Sequence, residues 1–234
     1  MTDRPDAPAA EVKNMPTLEM LGIDSQEVVV RGARVLDVNA GELLPASDVR
    51  VSGGRIESLE AGGPQRGCAE VPADGLTLMP GLIDCHAHIL SPWLTKQEGE
   101  NIFAPWVFRQ MGRNLRTELA SGVTAVRDML SPIRVMNKVR WLIEKGRIPG
   151  PRIIASGAIM SCPGGYPEFV HPLGFPAVNI AGTPKYELTT AAAAEKAVRY
   201  VRKCGADLIK VGYSSRDRYN SGPDTMPVIS NGAL

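Results

Sequence analysis

His86 and His88, two of the three histidines in a chain of 234 residues, stand two positions apart behind Asp84. On a strand, residues two apart share a face, so Asp84, His86 and His88 are expected on one side. Ile83, Cys85 and Ala87 then face the other way, which suits packing under helices. Two imidazoles so placed can chelate one divalent ion, and zinc accepts nitrogen ligands at about 2.0–2.1 Å. A purely structural histidine pair has the same spacing. Lys210 is the second candidate, because the run Leu208-Ile209-Lys210-Val211 sets an amine in the middle of an apolar strand. Desolvation there lowers the amine's pKa and makes its neutral form accessible. The alternatives are a lysine snorkelling to solvent and a Schiff-base lysine. Asp128 either orients a ligand or caps the helix that follows it. Tyr213, Arg216 and Arg218 follow Lys210, where an arginine fork matches a substrate carboxylate, and His171 lies in a long loop. Ordinary solvated or loop-packing roles fit these four equally well.

The elements that must position these residues change character along the chain. Residues 1–26 are polar, contain three prolines and read as a leader or arm, with Met20–Ile23 as a short apolar docking stretch. From Glu27, short β-rich runs at 28–30, 33–36, 48–51 and 55–59 alternate with turns at 39–41, 52–54 and 62–64. They predict a small antiparallel sheet over 27–77, one side of a sandwich. After Pro80 the rhythm becomes strand, helix, strand, helix. Gly81–His88 reads as a strand, and a helix over 103–121 carries Trp106, Met111, Leu115 and Leu119 until Ser121-Gly122 stops it. Val123–Asp128 is the next strand. Ser131 as N-cap and Pro132 at the first position open a helix carrying Ile133, Met136, Val139, Leu142 and Ile143 up to Gly146. Strands at 152–155 and 207–211 flank a long Gly- and Pro-rich loop at 157–188 and an alanine-rich helix at 189–204. Four such steps in series predict parallel strands joined by right-handed crossovers.

Composition excludes several classes. With 26 basic against 25 acidic residues, the net charge of +1 offers no field for a phosphate backbone, so no nucleic-acid partner is expected. An apolar content of 44% suits a packed core, and no apolar run approaches the ~18–20 residues that span a bilayer. The first residues lack the apolar stretch of a secretory signal. Cys68, Cys85, Cys162 and Cys204 form no CxxC pair, which fits neither a zinc knuckle nor a disulfide scaffold and predicts a cytoplasmic protein.

The run Leu78-Met79-Pro80-Gly81-Leu82-Ile83-Asp84-Cys85-His86-Ala87-His88-Ile89 resembles the first-strand motif of the amidohydrolase superfamily. Gly32–Asp37 and Asp48–Ile56 are similar to its N-terminal sandwich. Gly122–Asp128 and Gly150–Gly157 resemble the second and third strands of the branch that holds imidazolonepropionase-like enzymes and metal-dependent Xaa-Pro or Xaa-Arg dipeptidases. The resemblance covers about residues 27–234. It implies an α/β fold: part of a small β-sandwich over 27–79, then the first half of a (β/α)8 TIM-like barrel over 80–234. Barrel active sites gather at the carboxyl ends of the strands, where His86 and His88 fall.

By the same resemblance, His86, His88 and a carboxylated Lys210 are the metal ligands, with Lys210 bridging two ions as a carbamate made from CO2. From their positions rather than from the resemblance, Asp84 and Asp128 are candidates to orient these ligands, and Tyr213, Arg216, Arg218 and His171 are candidates to face the substrate. One or two divalent ions are expected, zinc first, with manganese or iron(II) as alternatives. The implied activity is hydrolysis of an amide bond, in a small peptide or a cyclic amide, by water activated at the metal. The family's later histidines and its strand-eight aspartate have no counterpart here: no histidine follows His171, and Asp224 falls too early. An eight-stranded barrel takes ~250 residues, so a C-terminal half from another chain or a longer precursor is expected, within a higher oligomer. Two other readings stand beside this one: a non-catalytic binding remnant on the same scaffold, and a deaminase of the same superfamily.

Overall fold

The computed structural model describes residues 27–59, 68–90, 105–167, 185–214 and 227–229, and it divides into two compact units, Met1–Pro80 and Gly81–Leu234. In the first unit, β1 (Glu27–Asp37), β2 (Glu42–Ser52) and β3 (Arg55–Ser58) form an antiparallel meander. β4 (Ala69–Pro72) and β5 (Thr77–Leu78) then pair parallel to β1, one after the other along its length. The sheet is therefore mixed rather than antiparallel. The two short strands expected at 28–30 and 33–36 are one long strand. Gly32, at φ +70°, takes up a register shift, its N–H donating to the Asp48 carboxylate at 3.0 Å, and the ladder resumes at Ala33. Arg31 ties Asp48 and Glu70 together across three strands.

The second unit alternates parallel strands with helices. β6 (Leu82–Ala87), β7 (Val123–Asp128) and β8 (Arg152–Ala155) form one three-stranded sheet in that order. β9 (Ile159–Ser161), β10 (Lys185–Glu187) and β11 (Lys210–Val211) form a second, ordered β10-β9-β11. Helix α1 (Pro105–Ala120) packs on β7, α2 (Ile133–Glu144) on β8, and α3 (Ala191–Lys203) against β9. The larger core lies between α1, α2 and the first sheet, around Leu115, Val126, Met136 and Ala155, all fully buried. The smaller gathers Ala158, Met160, Leu188, Ala197, Val201 and Ile229. The expected helical faces are seen in Met111 and Leu115, and in Ile133, Met136 and Val139. The Trp106 side chain lies outside the described part, as do Met20–Ile23 and the predicted turn at 62–64.

Four local expectations change. The loop expected at 157–188 contains β9 and β10, because a kink at Ser156-Gly157 (Gly157 at φ +68°) carries the third strand onward instead of ending it. The strand expected at 207–211 shortens to Lys210–Val211, because Asp207 serves Ala155 instead: its N–H donates to the Ala155 carbonyl and its carboxylate accepts the Ala155 N–H, both at 2.9 Å. Ser131 is no N-cap; Pro132 takes that position, and the Ser131 hydroxyl donates to Asp128 at 3.0 Å. Ala87 packs under the helices as expected, but Ile83 is 64% exposed and Cys85 is exposed too. β6 shifts register between Asp84 and Ala87, and α1 packs on β7, leaving the start of β6 uncovered among the described residues. No described helix is long and apolar enough to cross a membrane.

Candidate metal centre

β6 delivers His86 and β11 delivers Lys210 to the same place. The Lys210 amine lies 3.3 Å from Nε2 of His86. His88 follows one residue past the end of β6, its ring centroid 5.2 Å from that of His86 and tilted 59° to it. An imidazole centroid sits about 3 Å from an ion held by its nitrogen, so two rings sharing one ion at a near-tetrahedral angle stand about 5 Å apart. The pair therefore fits such an ion. Among the described residues no group of three or more His, Cys, Asp or Glu converges. The third nitrogen beside the two rings is that of Lys210.

Burial and neighbouring positive charge lower the pKa of all three groups. Burial, helped by the charges of His86 and Lys210, pushes His88 down to about 4. Burial and then the Lys210 charge lower His86, with Arg127 adding to the effect and Asp84 opposing it. Burial, followed by the Arg127 charge, holds the Lys210 amine below the usual lysine range.

The backbone around the rings is gripped from behind. Asp84 turns back on its own strand and accepts the His86 N–H at 2.8 Å. Asp128, fully buried at the end of β7, accepts from the N–H of Ile89 at 2.8 Å, the N–H of Leu130 at 3.3 Å and the hydroxyl of Ser131. It thus bridges the strand end next to His88 and the turn leading into α2. Burial raises its pKa, against the pull of these three donors. Tyr213 stands 60% exposed two residues beyond β11. Arg216, Arg218, His171 and Asp224 lie outside the described residues.

Two contributors carry no motif that would have disclosed them. Asn114, on α1, donates to the Ile89 carbonyl at 3.0 Å and is itself met by Gln110 at 2.9 Å. The Ile89 peptide is therefore held at both its N–H and its C=O. Arg127, on β7, donates to the Cys85 carbonyl at 2.7 Å and supplies the cation felt by His86 and Lys210. The only hint of Arg127 in the sequence is a charge set in an apolar strand, the same hint that marks Lys210.

Comparison with known proteins gives this arrangement a family. Residues 77–233 match the Amidohydrolase family. A solved prolidase complexed with N-methylphosphonate-L-proline is 27% identical, with a TM-score of 0.69 over 88% of this chain and 51% of its own. A putative prolidase from Bifidobacterium longum is 26% identical, with a TM-score of 0.59 over 82% of this chain and 41% of that one. Among curated proteins, an adenine deaminase of Deinococcus radiodurans is 34% identical over 141 residues, 58% of this chain and 23% of its own length. The chain thus spans about half of the solved structure it resembles at 27% identity, and under a quarter of that deaminase. With a match running from the last strand of the N-terminal sheet through Lys210 and beyond, the chain belongs to the amidohydrolase family.

Proposed function

We propose that this chain supplies the N-terminal half of the active site of a metal-dependent hydrolase that cleaves an amide C–N bond in a small peptide or cyclic amide. Amidohydrolases are typically metal-dependent and act on C–N bonds. The observation that carries the reading is the convergence of Lys210 on the His86–His88 pair from a strand distant in sequence. In this reading the four strand–helix steps are the first half of a (β/α)8 barrel, and the N-terminal sheet is part of the family's sandwich.

His86 and His88, uncharged at neutral pH, would hold a divalent ion, zinc before manganese or iron(II). The Lys210 nitrogen uses its lone pair to bond the carbon of CO2 and releases one proton to solvent, leaving a carbamate whose oxygens can hold a second ion. An ion held there would supply Lewis acidity and lower the pKa of a nearby water toward neutral pH. Asp84, Asp128 and Asn114 keep the rings aligned by fixing the backbone on either side of His88. Tyr213, with Arg216 and Arg218 beyond it, faces the substrate, and an arginine fork would take its carboxylate. The remaining ligands, and a carboxylate able to accept a proton from that water, would come from the C-terminal half of such an enzyme. In the assembled protein, His86→Ala should abolish release of amine from Xaa-Pro dipeptides and lower bound metal. Undiminished turnover by that variant would refute the reading.

A second reading, deamination, is favoured by the 34% identity to an adenine deaminase. Ammonia released from adenine, with no amine released from dipeptides, would select it.

A further inference from the structure

Lys185 and Lys210 stand in one row of the second sheet. Both pair with Ile159 on the central strand β9, one from β10 and one from β11. Residues in register on parallel strands share a face, so the two lysines flank the buried Ile159 on the same side, about 10 Å apart across two strand spacings. Ala158, Met160 and Cys162 point the other way, into the core under α3. The two amines have different surroundings. Lys210 is half-buried against His86, whereas Lys185 is 3% exposed and its Nζ donates to the carbonyls of Gly165 at 3.1 Å and Pro167 at 3.2 Å. Glu187 lies 3.5 Å from it.

Burying an amine is costly unless its donors are satisfied, and an apolar side chain would fill this space at no such cost. What the lysine adds is a grip on the turn 162–167. Within that turn Gly165 donates to the Cys162 carbonyl at 2.9 Å, and a Cβ on Gly165 would meet Cys162 Sγ and Ser161 Oγ at 2.6 Å. Its far side reaches the other strand: the Tyr166 carbonyl lies so close to Gly212 that a Cβ there would collide with it. Gly212 also donates to Met160 at 2.8 Å and accepts from Ser161 Oγ at 3.4 Å. A continuous set of contacts therefore runs from Lys185 through the turn to Gly212, two residues past Lys210.

The geometry points to Lys185 as a positioning residue that presses the Cys162–Pro167 turn against Gly212 and so fixes where Lys210 leaves β11 relative to His86 and His88. The inference rests on Lys210 being a metal ligand. Titration of the full chain with Co2+ alone, followed by visible absorption, tests it. Lys185→Met, with unchanged far-UV circular dichroism, should bind Co2+ at least about tenfold more weakly and with a shifted absorption band, while Lys185→Arg recovers to within about threefold. A role in stability alone would lower the melting temperature and leave the band of the folded protein unmoved. Gly212→Ala, which displaces the Tyr166 carbonyl without touching Lys185, should reproduce the weakening and decides the matter if Lys185→Met fails to fold. Wild-type affinity and spectrum in a folded Lys185→Met, or in Gly212→Ala when the first variant is unfolded, would overturn the positioning role and leave the metal reading intact. Wild-type Co2+ binding by His86→Ala would instead remove the metal reading, and this inference with it.

Discussion

The amine of Lys210 and Nε2 of His86 lie 3.3 Å apart across 124 residues of sequence. His86 is next to last in β6 and Lys210 opens β11, and each is held below its usual pKa chiefly by burial. An amine and an imidazole at that distance can share a cation through their lone pairs when both are unprotonated.

The reactivity of Lys210 should be visible directly. In 13C-bicarbonate at pH 8, one carbamate carbon signal is expected in the NMR spectrum of the wild-type chain with divalent metal added. Lys210→Met should lack it and His88→Gln should weaken it. A signal that survives Lys210→Met would assign the carbamate to another amine.

The metal-free chain should lose stability in mild acid. His88 is held near pH 4 in the fold, whereas an unfolded histidine titrates near 6.5. Above 6.5 both states leave it neutral and the fold keeps its full stability. Between 6.5 and about 4 the unfolded chain takes up the proton first, so stability falls across that window. The melting temperature of the wild type should therefore drop more between pH 7 and pH 5 than that of His88→Gln. Equal drops would show that the ring is not held neutral.

Asp128 should matter more to stability than a strand-end carboxylate usually does. Asp128→Ala strips acceptors from the N–H groups of Ile89 and Leu130 and from the Ser131 hydroxyl inside the core. A loss of about 2–4 kcal/mol is expected from urea denaturation, with a smaller loss for Asp128→Asn, which keeps the side-chain oxygen. A change under about 0.5 kcal/mol would mean that water replaces the carboxylate at no cost.

The sequence made the parallel strand–helix rhythm legible because each helix shows an apolar face and a glycine stop: Gly122, Gly146 and Gly205 all adopt positive φ after α1, α2 and α3. It marked His86 and His88 by their spacing and Lys210 as a charge set in an apolar run, where burying it is costly and so conspicuous. What it hid depends on distant partners. β4 and β5 pair parallel to β1, and nothing local marks a partner about forty residues away. β9 and β10 hid in a stretch rich in Gly and Pro, where three-residue strands leave no periodicity. Asn114 looks like any polar helix residue, and its importance comes only from the Ile89 carbonyl that it meets.

An anomalous-difference map at the zinc edge, from crystals of the chain grown with Zn2+ and bicarbonate, would show whether the two imidazoles and Lys210 hold an ion together. One peak about 2.0–2.1 Å from a ring nitrogen of both His86 and His88, with Lys210 density extended by a carboxyl group, is the predicted result. No peak between the two rings, with the three side chains ordered and pointing apart, would rule out a shared metal centre at these residues.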